Sequence, residues 1–90
     1  MNAIKKVKKF FKEDPITSNV IAVEDKVRSF IDLREIVFDE GRDTMTTEEE
    51  KEFLENLKDT FISFDIGDPN GFNFEIDYDE GMIVLTISIK

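Results

Sequence analysis

Residues 72–79 alternate between apolar and polar side chains so strictly that, with the strand pattern of 82–89 after them, they constrain the fold more than any other stretch of the chain. Phe72, Phe74, Ile76 and Tyr78 alternate with Asn73, Glu75, Asp77 and Asp79; after the triplet Asp79-Glu80-Gly81, Ile83, Leu85, Ile87 and Ile89 share one face and Val84, Thr86 and Ser88 the other. A period of two is the signature of a β-strand. The triplet predicts a three-residue hairpin loop in which Gly81 takes a positive φ. One face of this hairpin is too apolar to stand in water and needs a cover.

The upstream sequence offers covers. Residues 2–12 place Ala3, Ile4, Val7, Phe10 and Phe11 on one stripe with lysines around the remainder, which predicts an amphipathic helix. Asp14-Pro15 has the form of an N-cap followed by a first-turn proline. It predicts a second helix over about residues 15–31, with Val20, Val23, Val27, Phe30 and Ile31 on one face. The β-branched content of 16–23 keeps a strand open there as the alternative. Residues 34–39 have the pattern of a short strand, ended by Asp39-Glu40-Gly41. Thr46 or Thr47, followed three residues later by Glu49 or Glu50, is a capping-box signal for a helix over 47–59 that buries Phe53, Leu54 and Leu57. From Phe61 the period changes to two (Ile62, Phe64, Ile66), predicting a further strand before the turn Gly67-Asp68-Pro69-Asn70-Gly71. The expected fold is therefore one α+β domain over residues 1–90. It has two N-terminal helices, a short strand, a third helix and a C-terminal three-stranded antiparallel meander, in the order α-α-β-α-β-β-β. No internal repeat or linker divides it.

The chain has no cysteine and no histidine among its 90 residues. A disulfide framework, a thiolate nucleophile, an imidazole base and Cys- or His-ligated metal sites are thereby excluded. Carboxylates are the abundant reactive groups, but a glycosidase-like pair needs one carboxyl in an apolar pocket. Glu75, Asp77 and Asp79 instead read as a solvated strand face. Residues 65–71 superficially resemble a calcium loop; aligned on Asn70-Gly71, its first ligand position falls on Ile66 and its twelfth on Asp77 rather than Glu. Neither an enzyme activity, a metal nor a cofactor is expected.

Charge is distributed unevenly. The net charge is −9, yet residues 1–12 carry +5 on Lys5, Lys6, Lys8, Lys9 and Lys12, so the remainder carries −14. Residues 35–80 alone hold 16 acids against Arg42, Lys51 and Lys58. Two stretches concentrate the acids: Glu48, Glu49, Glu50, Glu52, Glu55 and Asp59 on the expected third helix, and Asp65, Asp68, Glu75, Asp77, Asp79 and Glu80 on the expected sheet and its turns. Carboxylates repeating at about 5–7 Å along a helix face or alternate strand positions resemble the spacing of phosphates on a nucleic-acid strand. Such a surface attracts basic grooves and speeds association with them. In size, charge and lack of catalytic residues the chain resembles small acidic inhibitors encoded by phages, such as anti-CRISPR and anti-restriction DNA mimics. The resemblance is one of character, with no shared motif.

The expected function is therefore that of a small acidic binding protein that inhibits a basic nucleic-acid-binding protein or nuclease. An immunity protein against a nuclease toxin would use the same physics. A peripheral membrane or scaffold module, using Ile4, Val7, Phe10 and Phe11 with their lysines, is the alternative from another class. Direct nucleic-acid binding is disfavoured by the acidic body. A homodimer through an uncovered strand edge, at 82–89 or 34–39, is compatible with either reading. A cytoplasmic location is expected, since no apolar signal region or membrane-spanning run is present.

Overall fold

Asn2 opens the first helix: its side-chain oxygen accepts the Lys5 N–H at 2.9 Å, and Ala3–Glu13 follow as α1. Ile4, Val7 and Phe11 are its buried stripe. The helix stops at Asp14, whose N–H bonds the Phe11 carbonyl at 3.3 Å while its Oδ1 accepts the Ile16 N–H at 3.2 Å. Asp14-Pro15 thus closes one helix instead of opening another. The computed structural model describes residues 2–38 and 41–90.

The expected second helix over 15–31 is replaced by a β-hairpin. Thr17–Val23 form β1 and Lys26–Asp32 form β2, antiparallel, with Val23 opposite Lys26 and a bulge between Thr17 and Asn19. The strand alternative for 16–23 is the one that holds. After β2, Leu33–Glu35 make one turn of 3-10 helix, capped by the Asp32 carboxylate on the Arg34 N–H at 3.0 Å. The expected strand at 34–39 is therefore absent through Phe38. Asp39 and Glu40, its end and the start of the turn after it, lie outside the described residues.

The capping box predicted at Thr46 and Glu49 is present in both directions, with the Glu49 N–H on Thr46 Oγ1 at 3.2 Å and the Thr46 N–H on Glu49 Oε1 at 2.8 Å. It opens α2, Thr47–Ser63. This helix runs through the residues expected to begin a meander strand. Phe61, four residues beyond Leu57, keeps the helical stripe going into the core. Pro69–Gly71 form a second 3-10 turn, capped by the Asp68 carboxylate on the Asn70 N–H at 2.9 Å. Phe72–Asp79 (β3) and Met82–Ile89 (β4) are the hairpin expected from their alternation. Its loop is two residues, because Asp79 still pairs with Met82; Glu80 and Gly81 both take positive φ, at 49° and 79°.

The architecture is α-β-β twice over, not α-α-β-α-β-β-β. The two hairpins join along β2 and β4 into one antiparallel sheet of order β1-β2-β4-β3, so the meander is replaced by a four-stranded sheet. Both helices lie on the same face. Ile4, Val7 and Phe11 of α1 and Leu57 and Phe61 of α2 share a core with Val27, Phe72, Leu85 and Ile87. A second cluster of Ile31, Leu33, Val37, Met45 and Ile83 closes one end of the sheet.

Ser29 breaks the apolar pattern. It is fully buried on the covered face opposite Val20 and Leu85, and its hydroxyl oxygen has no hydrogen-bond partner among the described residues. An unpaired buried hydroxyl is destabilising. Ser29→Ala is therefore expected to stabilise the chain by about 1 kcal/mol. Thermal unfolding should register this as a midpoint raised by about 4–8 °C.

Candidate functional site

The helices leave the other face of the sheet open. Its residues form rows across the strands: Val23, Lys26, Ser88 and Asn73; Ile21, Arg28, Thr86 and Glu75; Asn19, Phe30, Val84 and Asp77; then Asp32, Met82 and Asp79. Read across the rows, the face changes character strand by strand. Ile21 and Val23 make the β1 edge apolar, exposed at 45% and 62%. Lys26 and Arg28 make β2 basic at one end, while Phe30, Val84 and Met82, half-buried, form an apolar centre at the other. The β3 edge carries Glu75, Asp77 and Asp79, all exposed. Alternate residues on a strand are about 6.8 Å apart, so these three carboxylates form one straight row.

The acidic residues predicted from the sequence do not form one surface. Glu48, Glu52, Glu55 and Asp59 recur at intervals of four, three and four, which places them on one exposed stripe of α2. Glu75, Asp77 and Asp79, with Glu80 at the end of their strand, face the opposite side of the sheet. The two stripes share the β3 edge, because α2 lies along β3. The Phe61 ring meets the Phe72 and Phe74 rings at 5.3 and 5.5 Å, and at the other end Tyr78 Oη donates to Glu50 Oε2 at 2.7 Å. Asp65 and Asp68 lie between the stripes in the connection from α2 to β3. Asp68 is occupied as a cap, and the Asp65 carbonyl accepts from Lys6 Nζ at 3.4 Å.

Glu49 is a structural residue. Its carboxylate completes the capping box and receives the Arg42 guanidinium through both nitrogens, one contact being 3.2 Å to Oε2. The Arg42 hydrogen bond, helped by the Thr46 N–H, holds its carboxyl down at about 2. A carboxyl whose pKa is lowered by folding contributes stability above its ordinary pKa and loses it as pH falls through the lowered value. The Glu49 contribution is thus expected in full above about pH 4.5 and to be lost towards about pH 2. Urea midpoints measured across that window should converge for the native chain and Glu49→Gln. On the neighbouring strand, burial first and the Glu50 hydrogen bond second push the Tyr78 hydroxyl up to about 12. It stays a protonated donor that ties β3 to the first turn of α2, and the Met45 N–H donates to the same oxygen at 3.1 Å.

Elsewhere on the surface, Arg34 pairs with Asp32 at 2.9 Å, with both side chains beside the open face. None of the carboxylates in the β3 row or the outer α2 stripe is ion-paired among the described residues. No group of three or more potential ligands is arranged to hold a metal among those residues. No described helix is long and apolar enough to cross a membrane. The strand edges expected to mediate dimerisation are not edges: 82–89 is β4, paired on both sides, and 34–38 is not a strand. The true edges are β1 and β3.

Comparison of the chain with models of known protein families, with curated proteins and with solved structures finds no match. The open face must speak for itself. Lys26, Arg28 and the central Phe30 are not legible as one face in the sequence, because they lie in the β1–β2 hairpin, whose apolar spacing predicts a helix. Only Val84 in the last strand signalled that the second face was partly apolar.

Proposed function

We propose that the chain is a non-enzymatic binding protein that occupies a basic, nucleic-acid-handling partner by presenting carboxylates where that partner takes phosphates. The observation that carries this reading is the β3 row. Glu75, Asp77 and Asp79 stand unpaired in a line on an uncovered sheet face, beside the apolar centre of Phe30, Val84 and Met82. Regular negative charge supplies steering and register; the apolar centre supplies area that is dehydrated on contact. Carboxylates along β3 also keep other strands from adding to that edge. That role needs charge at the edge, but not a bare apolar centre beside it.

A phage-encoded anti-CRISPR or anti-restriction inhibitor and an immunity protein against a nuclease toxin would both use this surface in the same way. The membrane reading loses support from the packing, since Ile4, Val7 and Phe11, three of the four side chains it requires, lie in the core.

The triple variant E75Q/D77N/D79N changes only exposed side chains. It is expected to keep the thermal midpoint of the native chain and to weaken partner binding about ten- to a hundred-fold. The loss should shrink as salt rises, because the screening length shortens to about 3 Å at 1 M. Calorimetric titration of native and variant chains against the purified partner measures both effects. Equal affinities at low salt would refute the reading.

A further inference from the structure

Two helices cannot fill the width of a four-stranded sheet, and a groove of about 430 Å³ remains between α1 and α2. Its walls are largely apolar, with Phe11 of α1, Phe53 and Leu57 of α2, Ile31 of β2 and Ile36 beyond it, beside the polar Asn56 and Thr60 of α2. Its rim is acidic, with Asp14 at the end of α1, Glu35 in the turn after β2 and Glu49 and Glu52 on α2, and no lysine or arginine lines it among the described residues. The lysines of α1 do not reach it. Asp14 is engaged with the Ile16 N–H and Glu49 with Arg42. Glu35, in the turn after β2, and Glu52, on α2, have no ion-pair partner among the described residues.

This combination selects its occupant. An apolar groove alone accepts any apolar chain, but an anionic amphiphile would bring its polar end against a rim where Glu35 and Glu52 have no ion-pair partner among the described residues. A cationic one gains there, because each charge is attracted in partly dehydrated surroundings where the effective dielectric is below that of water. The volume falls within the range of pockets that seat a few side chains, and it is too small for a whole helix. We infer that the groove between α1 and α2 is the anchor site for a cationic amphipathic segment of the partner protein, with apolar side chains on Phe53 and Leu57 and arginine or lysine between Glu35 and Glu52. The inference rests on the reading of the chain as a captor of a basic protein, and adds to it which part of such a protein enters where.

The probes are two synthetic helical peptides with the same leucines at i, i+3, i+4 and i+7, one with arginine and one with glutamate at the polar positions. They are titrated into the full isotope-labelled chain and followed by amide NMR shifts. The arginine peptide is expected to saturate, with the largest shifts at Ile36, Phe53 and Leu57, and the glutamate peptide to leave them unmoved. E35Q/E52Q is expected to weaken the arginine peptide about ten-fold. Asn56→Arg, an exposed position on the groove wall, should place a cation of the chain's own at the rim and weaken it at least as much. Both substitutions spare the core. Binding of the two peptides alike, no saturable binding of the arginine peptide, or shifts confined to β3 would each overturn the groove assignment. The last of these would do so while leaving the carboxylate row as the binding surface. Peptide binding in the groove by a chain that fails to compete with nucleic acid would instead leave the groove and remove the mimicry.

Discussion

Phe61→Ala is expected to remove most of the chain's folding stability. Phe61 has no exposed surface, and it joins the two halves of the molecule: its ring stands edge-on to Phe72 and Phe74 of β3, while its helix reaches the same core as α1. Truncating a buried phenylalanine costs about 3–5 kcal/mol in transfer and cavity terms, to which lost aromatic pairs add about 0.5–1.5 kcal/mol each. A 90-residue domain has roughly 5–10 kcal/mol in total. Circular dichroism should show a midpoint lowered by tens of degrees or no cooperative transition at all. Phe61→Leu, which keeps most of the volume, should retain a clear one. A modest shift for the alanine variant would mean that α2 and β3 do not depend on this contact.

Removing α1 is expected to be equally severe. Deletion of residues 1–13 withdraws Ile4, Val7 and Phe11, each at or below 7% exposure, from the hairpin of β1 and β2. At about 1.5–3 kcal/mol per buried side chain, the loss is about 5–9 kcal/mol, comparable with the whole stability of the domain. The truncated chain should show no sigmoidal urea transition and should bind a hydrophobic dye. A truncated chain that unfolds cooperatively would make α1 a detachable arm, which is what a membrane-seeking helix requires.

The parts of this fold legible in the sequence are those whose two faces differ. α1 has lysines opposite an apolar stripe, and β3 has acids opposite aromatics, so each shows its period plainly. β1 and β2 do not. Ile21 and Val23 are apolar on the open face, Ser29 is polar on the covered face and Phe30 is apolar on the open one, which erases the alternation. What remains, Val20, Val23, Val27, Phe30 and Ile31, mimics a helical stripe. The turn between these strands hides as well: it is Glu24-Asp25, with Glu24 at φ 55°, and lacks the glycine or asparagine that usually announces left-handed backbone. At the end of α2 the error runs the other way. Ile62 and Phe64 alternate with Ser63 and Asp65 like a strand, yet they are 66% and 68% exposed, and it is Phe61 and Ile66 that enter the core.

The candidate site was legible in its charges and not in its shape. The acids of 48–59 and 75–80 are visible as runs, but their division onto two sides of the sheet follows from α2 lying along β3. That Glu49 serves the capping box was visible in its spacing from Thr46; its guanidinium partner Arg42, seven residues earlier, was not. The groove between the helices had no signature at all, because its acidic rim is assembled from residues 14, 35, 49 and 52, which come together only once the 15–31 segment folds as a hairpin.

The β3 row is proposed to replace nucleic acid on a basic partner. The direct measurement is fluorescence anisotropy of a labelled oligonucleotide bound to the purified partner while the chain is titrated in. The native chain should displace the oligonucleotide completely, and E75Q/D77N/D79N should need about ten- to a hundred-fold more protein to do so. A ternary complex of partner, oligonucleotide and chain, or displacement by the variant at the same concentration as the native chain, would contradict it.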